Sequence, residues 1–334
     1  MKHVKARALL QSAIALQVKA LDAVAQNSCE DILRAAELVA GSVRVIVTGV
    51  GKSAFIAQKF AASLTSIGLE SRFMHPTDAL HGDIGLVQGN EVLVLISKSG
   101  ATEELIRLVA VEQLATVRRV LITANPLALL KRENDVLIHS PVHSEYDVDN
   151  LLPTASTTIA MAIVDLVLAC VASMRESTSE VLRVTHPNGA IGRMLTTKIS
   201  DLLPTLPPAP CIDISASLMD AINILHSSAR GIVCGVDAEG RLEGILTDGD
   251  VRRLVQGMQD VAARSLDDVA VKTPVTVAAH TTLHAALRMM EDRASKISVL
   301  PIVEGDNKLI GVVHLHDIVS ANQVLPELSL LGPS

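Results

Sequence analysis

Aromatic residues and paired cysteines are scarce in this sequence. Its 334 residues include three Phe, one Tyr and no Trp, although 49% of the residues are hydrophobic. The core must therefore be built from Val, Ile, Leu, Ala and Met, which suits a parallel sheet wrapped by helices. The four cysteines are scattered and form no Cys-x-x-Cys pair. This spacing argues against a zinc site and against a disulfide framework.

Basic clusters and uninterrupted apolar runs are also missing. A net charge of −7 without a basic block argues against nucleic acid as a partner. No uninterrupted apolar run is expected to reach membrane-spanning length. Gln and Lys interrupt the segment behind the charged N-terminus, unlike the core of a signal peptide. The sequence therefore predicts a soluble cytoplasmic protein with neither nucleic acid nor a membrane as partner.

Helix and strand patterns alternate through the first half of the chain. Residues 5–40 have helical periodicity, and 156–174 reads as one long, nearly all-apolar helix. Buried-strand patterns occur at 43–48, 71–74, 91–96, 119–124 and 136–139. This alternation predicts an α/β fold with a doubly wound parallel sheet, whose ligands bind at the carboxyl ends of the strands.

The second half of the chain repeats itself after a proline-dense break near 196–212. The segment 217–221 is matched by 282–286, and 244–250 is matched by 311–317. Both copies have the pattern helix, strand, strand, helix. Such a repeat predicts two similar modules that fold against one another, because each alone has a small core.

The segment 94–104 is the most informative motif. A β-branched run ends in Ser97, Ser99, Gly100 and Thr102, and a helix-like pattern follows from Glu103 to Glu112. Closely spaced hydroxyls, backbone N–H groups and a helix N-terminus all favour an anion. We interpret the turn as a phosphate cradle, the alternative being an ordinary strand-to-helix turn with a serine cap.

A second glycine-containing turn, Gly49–Ser53, follows the first strand. It resembles the end of a nucleotide-binding P-loop, but the required earlier glycine is replaced by Ile46, which argues against hydrolysis of nucleoside triphosphates. Its glycines allow close approach to a ligand, and Lys52 can reach that ligand. A plain glycine turn with a solvated lysine remains the alternative.

Several titratable residues follow strands or helices. His75 and His81 come after the second strand, and Glu103 and Glu104 open the helix behind the cradle. Acidic residues in a first helical turn are ordinary complements of the helix dipole, so at least one of these two is structural. Glu145 precedes a helix start with hydroxyl caps, and His186 lies in a glycine-flanked turn.

Together these motifs resemble the arabinose-5-phosphate isomerase family, which joins a sugar isomerase (SIS) domain to a pair of cystathionine-β-synthase-type (CBS) modules. The resemblance rests on Gly49–Ser53, His75-Pro76, Ala79–Asp83, Ser97–Gly100, Pro153-Thr154, Ser156–Thr158, His186–Gly192 and Gly244–Arg253. It implies a flavodoxin-like SIS domain followed by two α+β modules. The implied boundaries are 1–195 for the SIS domain, 196–212 for the linker, and 201–258 and 268–326 for the CBS modules.

The resemblance also implies a function. The reaction would interconvert D-arabinose 5-phosphate and D-ribulose 5-phosphate, toward the octulosonic acid of lipopolysaccharide or capsule. Lys52, His81, Glu104, Glu145 and His186 fall on the family's active-site positions. The hydroxyls of the phosphate site fall on Ser53, Ser97, Ser99 and Thr102. No metal or organic cofactor is implied, and such enzymes form dimers or tetramers; we predict a homotetramer.

The sequence departs from the family pattern at four places. Lys98 stands where the family usually has Asn, and Ala101-Thr102 stands where Glu-Ser is usual. The run 146–152 replaces a Cys-Pro-Leu-Gly-Leu-Ala-Pro-like segment, and Asn188 replaces a glycine. Because the loop before Pro153 is expected to shape the sugar pocket, another phosphosugar isomerase is an alternative. A non-catalytic sugar-phosphate sensor is a second alternative, although no basic recognition helix precedes the first strand.

Aldose–ketose isomerisation requires ring opening, proton transfer between neighbouring carbons and a stabilised enediolate. A carboxylate can transfer the proton if its pKa is raised toward neutrality. We hypothesise that Glu145 or Glu104 is this base and that His186 opens the ring. Lys52 would stabilise the oxyanion or the phosphate, and His81 would orient substrate hydroxyls.

The CBS modules carry one candidate regulatory site. Thr247 and Asp250 form a Thr-x-x-Asp motif, which in nucleotide-binding CBS modules contacts ribose and phosphate. The second copy has His314 and Asp317, which keeps the acid but loses the hydroxyl. We therefore predict at most one site for a nucleotide or nucleotide-sugar effector. The alternative is that the pair only supports the oligomer.

Overall fold

The computed structural model describes residues 2–175, 178–187, 189–257 and 263–328. These residues form two compact units, Met1–Thr185 and His186–Ser334. Asn188, noted above as a departure from the family pattern, lies outside the described residues.

Short apolar runs of the first unit form one parallel sheet. Its strands are β1 (Arg44–Gly49), β2 (Glu70–Phe73), β3 (Val92–Ile96), β4 (Arg118–Thr123) and β5 (Val136–His139). Their spatial order is β2-β1-β3-β4-β5, and every neighbouring pair is parallel. This order is that of flavodoxin-like sheets. The predicted doubly wound fold is therefore confirmed.

Helices cover both faces of this sheet. They are α1 (Lys2–Asn27), α2 (Cys29–Ala40), α3 (Lys52–Ser66), α4 (Pro76–Leu80), α5 (Glu103–Val109), α6 (Ala155–Met174) and α7 (Thr178–Thr185). In β1, Val45 and Val47 pack into a core with α2, α3 and α6. Ile46, between them, packs with α4 and α5 on the other face. A strand that is buried on both faces needs a continuous apolar run, which is the pattern that the sequence has.

Two helices are long and apolar enough to cross a membrane by length and composition alone, Lys5–Asn27 within α1 and Ala155–Met174. Lys19 and Asp22 interrupt the apolar residues of α1, and Asp165 interrupts those of α6. Its residues Ile159, Ile163 and Val167 are buried in the core of the first unit. A core helix passes the same test as a membrane span, so the two helices are weak evidence for a membrane.

Two predicted helices have different bounds in the structure. The stretch 5–40 is broken at the buried Ser28, whose Oγ donates to the His139 carbonyl oxygen at 3.0 Å. This bond ties the break between α1 and α2 to the end of β5. The helix predicted to reach Glu112 ends at Val109 and is followed by a 3₁₀ turn.

The second unit contains the internal repeat. Its elements are α8 (Ala190–Thr196), α9 (Ile199–Leu202), β6 (Cys211–Asp213), α10 (Leu218–Ser228), β7 (Ile232–Val236), β8 (Leu242–Thr247), α11 (Asp248–Gly257), β9 (Val277–Ala278), α12 (Leu283–Glu291), β10 (Val299–Glu304), β11 (Lys308–His314) and α13 (Leu315–Leu328). Both predicted helix–strand–strand–helix copies are present. Each copy also has a short strand that was not predicted, β6 beside β7 and β9 beside β10.

The core of each copy includes apolar residues from the segment that precedes the other copy in the sequence. Ile199 and Leu202 of α9, which precede the first copy, are buried with Leu283 and Leu300 of the second. Conversely, Leu266 lies in the segment that precedes the second copy, and it is buried in the core of the first copy. Backbone bonds fix the exchange, since the Ile199 N–H donates to the Thr281 carbonyl at 2.9 Å.

Replacing Gly100 by Ala is expected to destabilise the first unit by about 2 kcal/mol or more. Gly100 has φ +63°, and an added Cβ would lie 2.2 Å from the Ala128 Cβ. Urea denaturation compares this variant with Gly85→Ala, a glycine with open space around it. The control should change stability by less than about 0.5 kcal/mol. A Gly100→Ala protein as stable as the control would contradict the strain.

Candidate active site

The register of β1 against β3 brings two turns to one edge of the sheet. Gly49, the last residue of β1, lies opposite Ile96, the last residue of β3. A Cβ at Gly49 would lie 3.1 Å from the Ile96 carbonyl oxygen, so a larger residue would push the two strand ends apart. The turns that begin at Val50 and Ser97 therefore leave the sheet side by side, at its carboxyl edge.

The turn after β3 is already organised by its own hydroxyls. The buried Ser97 shares a 2.8 Å hydrogen bond between its Oγ and the Thr102 Oγ1. The Gly100 N–H donates to the Ser97 Oγ at 3.1 Å, and the Ala101 N–H donates to the Ser99 Oγ at 3.2 Å. Ser97 and Thr102 therefore lie together, while Ser99 is the exposed member of the set.

The turn after β1 contributes Lys52 and Ser53. Lys52 is the exposed first residue of α3, with its Nζ 5.7 Å from the centre of the Phe55 ring. Ser53 is half-buried and lines a pocket of about 270 Å³ together with Lys98, Ser140 and Ser156. The structure thus joins Ser53 to the turn after β3 through this pocket.

Glu145 is a buried carboxylate with a full set of donors. Its Oε2 accepts from the N–H groups of Thr154 at 2.9 Å and Ser156 at 3.1 Å. Its Oε1 accepts from the Ser156 hydroxyl and from the Lys98 Nζ, the latter at 2.6 Å. Burial alone would raise the pKa of Glu145, but these bonds outweigh burial and lower the pKa to about 2. Glu145 is therefore ionised at neutral pH.

The loop between Glu145 and Thr154 is closed by its own hydrogen bonds. The Asp147 carboxylate accepts from the Leu151 and Leu152 N–H groups at 2.9 Å each. The Glu145 N–H donates to the Asn150 Oδ1 at 2.6 Å, and the Tyr146 N–H donates to the Thr154 Oγ1 at 2.9 Å. The departure from the family pattern is thus an ordered loop rather than an open one.

Glu104 and His81 lie on the elements that cover the other face. Glu104 is half-buried in the first turn of α5 and, among the described residues, has no hydrogen-bonding partner. Its neighbour Glu103 is exposed and pairs with Arg107. His81 is exposed at the end of α4, a helix that packs against α5. The half-buried His75 accepts from the Thr77 N–H at 3.3 Å and caps α4.

His186 belongs to the second unit, which begins at this residue. It is half-buried, and its carbonyl oxygen accepts from the Gly189 N–H at 3.2 Å. A Cβ at Gly192 would overlap this carbonyl oxygen at 1.7 Å. The glycines of the motif therefore allow a tight turn around His186.

The candidate regulatory residues also meet in the second unit. The Asp250 Oδ2 accepts from the Thr247 N–H at 2.9 Å and from its hydroxyl at 2.6 Å. In the second copy, Asp317 pairs with Arg230 at 2.7 Å, and the His314 ring contacts the Arg230 carbonyl oxygen at 2.6 Å. The acid of the second copy is thus occupied by a cation from the first.

Lys98 and Ser156 are site residues that sequence reasoning did not select. Lys98 was noted only as a departure from the family pattern, and Ser156 only as part of a helix start. Their long-range contacts with Glu145 leave no local pattern in the sequence. Within the described residues, no three His, Cys, Asp or Glu side chains are grouped so that they could hold a metal ion.

Two family models match the chain. The SIS domain model matches residues 38–170, and the CBS domain model matches residues 199–257 and 266–323. The first match covers the parallel sheet with the turns described above. The other two matches fall on the two copies of the repeat.

Named relatives match the chain along most of its length. The chain is 33% identical to arabinose 5-phosphate isomerase KdsD of Pseudomonas aeruginosa, over 93% of this chain and 95% of that protein. It is 33% identical to arabinose 5-phosphate isomerase KpsF of Escherichia coli, over 82% of each. A Listeria monocytogenes structure, named as a candidate sugar-phosphate isomerase, has a TM-score of 0.52, 28% identity and coverage of 56% of this chain and 100% of its own. The chain therefore belongs to the arabinose 5-phosphate isomerase family.

Proposed function

We propose that this protein interconverts D-arabinose 5-phosphate and D-ribulose 5-phosphate through an enediolate. The observation that carries the proposal is the identity with arabinose 5-phosphate isomerases along nearly the whole chain. The geometry agrees with this chemistry, because hydroxyls, two lysines and two carboxylates lie on turns and helix starts around the carboxyl edge of one parallel sheet.

Of the two candidate bases, Glu104 fits the proton transfer better. The sequence argument required a carboxylate whose pKa is raised, and the pKa of Glu145 is instead lowered to about 2. A carboxylate that accepts from four donor groups is a weak base and has little capacity left for a substrate proton. Glu104 has no such donors among the described residues. We therefore assign the base to Glu104 and an organising role to Glu145.

The remaining roles follow from charge and residue type. Lys52 would stabilise the negative oxygen of the enediolate or the phosphate. Ser53, Ser97, Ser99 and Thr102 would surround the phosphate, and His81 would orient the sugar hydroxyls. His186 would open the sugar ring, because an imidazole can exchange a proton near neutral pH; this assignment rests on the family resemblance.

We further propose a cytoplasmic homotetramer that supplies octulosonic acid synthesis for lipopolysaccharide or capsule. Support for assembly comes from α1, where Leu10, Ile14 and Val18 are each more than half exposed. These residues recur every four positions and form an apolar stripe that is suited to another subunit.

The CBS pair would bind a nucleotide or nucleotide-sugar effector at Thr247 and Asp250. The two copies differ in a way that favours one site, since Arg230 neutralises Asp317 in the second copy. In the first copy, Asp250 is held by Thr247 and by the largely exposed Arg253. A competing possibility is that the pair has only a structural role in the oligomer.

Purified protein is expected to convert D-ribulose 5-phosphate into D-arabinose 5-phosphate. The conversion is monitored by NMR, with and without a chelator. Glu104→Gln should lower turnover by about 10²- to 10⁴-fold, because it removes the base, while inhibition by inorganic phosphate should persist. Glu103→Gln is the matched control and should retain near-normal turnover, since Glu103 pairs on the surface with Arg107.

Each other outcome of this experiment identifies an alternative. Turnover of a different sugar phosphate alone would establish another phosphosugar isomerase. Binding without turnover of any sugar phosphate would favour the sensor. Near-normal rates for Glu104→Gln would refute the assignment of the base.

Glu145 should make stability depend on pH. Its folded-state pKa of about 2 lies below the ordinary value of 4.5, so its carboxylate stabilises the fold above pH 4.5 and this contribution is lost as the pH falls toward 2. The loss is expected to be about 3 kcal/mol. Urea denaturation between pH 7 and pH 2 should show that Glu145→Gln lacks this part of the pH dependence. A constant difference between the two proteins across the range would contradict the assignment.

Adenine and cytidine nucleotides provide the test for the regulatory site. A ligand at Thr247 and Asp250 should raise the melting temperature by about 3 °C or more at saturation. Asp250→Asn should abolish the increase, and Asp317→Asn should keep it. Absence of any shift across the nucleotide panel would favour the purely structural role.

A further inference from the structure

Lys98 lies where two parts of the candidate site meet. Its backbone is fixed to the end of β4, since the Lys98 carbonyl oxygen accepts from the Ala124 N–H at 3.1 Å and from the Thr123 hydroxyl at 3.2 Å. Its side chain crosses to Glu145, 47 positions further along the chain. The residue therefore connects the turn after β3 with the loop of residues 145–154.

The contact places a partly exposed cation on a carboxylate that water does not reach. The Lys98 side chain is 46% exposed, whereas that of Glu145 is 1% exposed. The other donors to Glu145 are neutral groups of Thr154 and Ser156. Because a buried charge without a counter-charge is unfavourable, loss of the ammonium would leave Glu145 with neutral partners alone.

The loop of residues 145–154 is tied to Glu145, because its internal bonds close it into one unit. Asp147 accepts from two N–H groups across the loop, and Asn150 binds the Glu145 N–H. The pocket is reached from Glu145 through Ser156 of α6, whose hydroxyl donates to Glu145 and which lines the pocket with Ser53 and Lys98. A shift of Glu145 would therefore change the pocket wall as well as the loop.

We propose that Lys98 is a positioning residue that holds Glu145, and with it the loop of residues 145–154, beside the pocket lined by Ser53, Lys98 and Ser156, and so sets which sugar phosphate fits. The proposal rests on the proposed function, because a pocket wall selects a substrate only if the site takes a sugar phosphate. In this role Lys98 acts through the shape of the pocket. Direct binding of the phosphate by Lys98 is the competing role.

Hydrogen–deuterium exchange tests the hold on the loop without any substrate. In Lys98→Met, amides of residues 145–154 should exchange faster by about tenfold or more, while amides of β3 and β4 keep their rates. Lys59→Met is the matched control, since it removes a lysine from a surface pair with the half-exposed Asp165 and should leave the loop unchanged. Equal loop exchange in Lys98→Met and the wild type would overturn the proposal.

Kinetics then separate the two roles of Lys98. In Lys98→Met, the KM for arabinose 5-phosphate should rise about tenfold or more, and the inhibition constant of inorganic phosphate should change less than about twofold. Lys98→Met/Glu145→Gln should have the same KM as Glu145→Gln alone, because both changes act through one contact. Additive effects, or phosphate inhibition weakened about tenfold, would show that Lys98 binds the phosphate itself.

The two measurements also separate failure of this proposal from failure of the proposed function. A wild-type protein that turns over no sugar phosphate would refute the isomerase, while loop exchange would still support or overturn the hold by Lys98. If Lys98→Met does not fold, the double variant replaces it, since that variant has no unpaired buried carboxylate. Loop exchange as slow as in the wild type in the double variant would overturn the proposal.

Discussion

The parallel pairing of β1 with β3 is the constraint on which the candidate site depends. Both strands are buried on both faces, so their register is fixed by two apolar cores at once. That register places Gly49 beside Ile96 and makes the two following turns neighbours. A slip of one residue would exchange the faces of the strands and also shift the turn that carries Ser53 relative to the turn that begins at Ser97. The packing of the core thus determines the relative position of the two turns of the candidate site.

Two glutamates of the first unit differ in the hydrogen-bond donors that surround their carboxylates. Glu145 is buried against backbone N–H groups at the start of α6 and a lysine, which hold its charge and use its oxygens. Glu104 stands in the first turn of α5 and is left available among the described residues. Under the proposed function, the same type of side chain would serve as an anchor in one place and as the base in the other. Hydrogen-bond donors, more than burial, make the difference.

Sequence reasoning reached the sheet but not the contacts between distant turns. A strand that is buried on both faces needs a continuous apolar run, and Val92–Ile96 is such a run. All five strands were therefore expected near their actual positions. Local hydroxyl spacing also placed Ser97 and Thr102 on one turn, where their hydroxyls share a hydrogen bond. By contrast, Lys98 and Glu145 are 47 positions apart, and Ser28 and His139 are 111 apart. No local periodicity encodes such pairs; the departure at Lys98 is in contact with Glu145, the residue just before the departing run 146–152.

The exchanged segments of the second unit bear on how the chain is made. During synthesis, Ile199 and Leu202 leave the ribosome long before Leu283 and Leu300, the residues that bury them. The nascent chain must carry these apolar side chains uncovered until the second copy has emerged, which exposes it to misassembly. The parallel sheet of the first unit does not depend on such late residues for its strand pairing, because all its strands precede residue 140. We therefore envisage vectorial folding, in which the sheet forms before the last strands of the repeat have been synthesised.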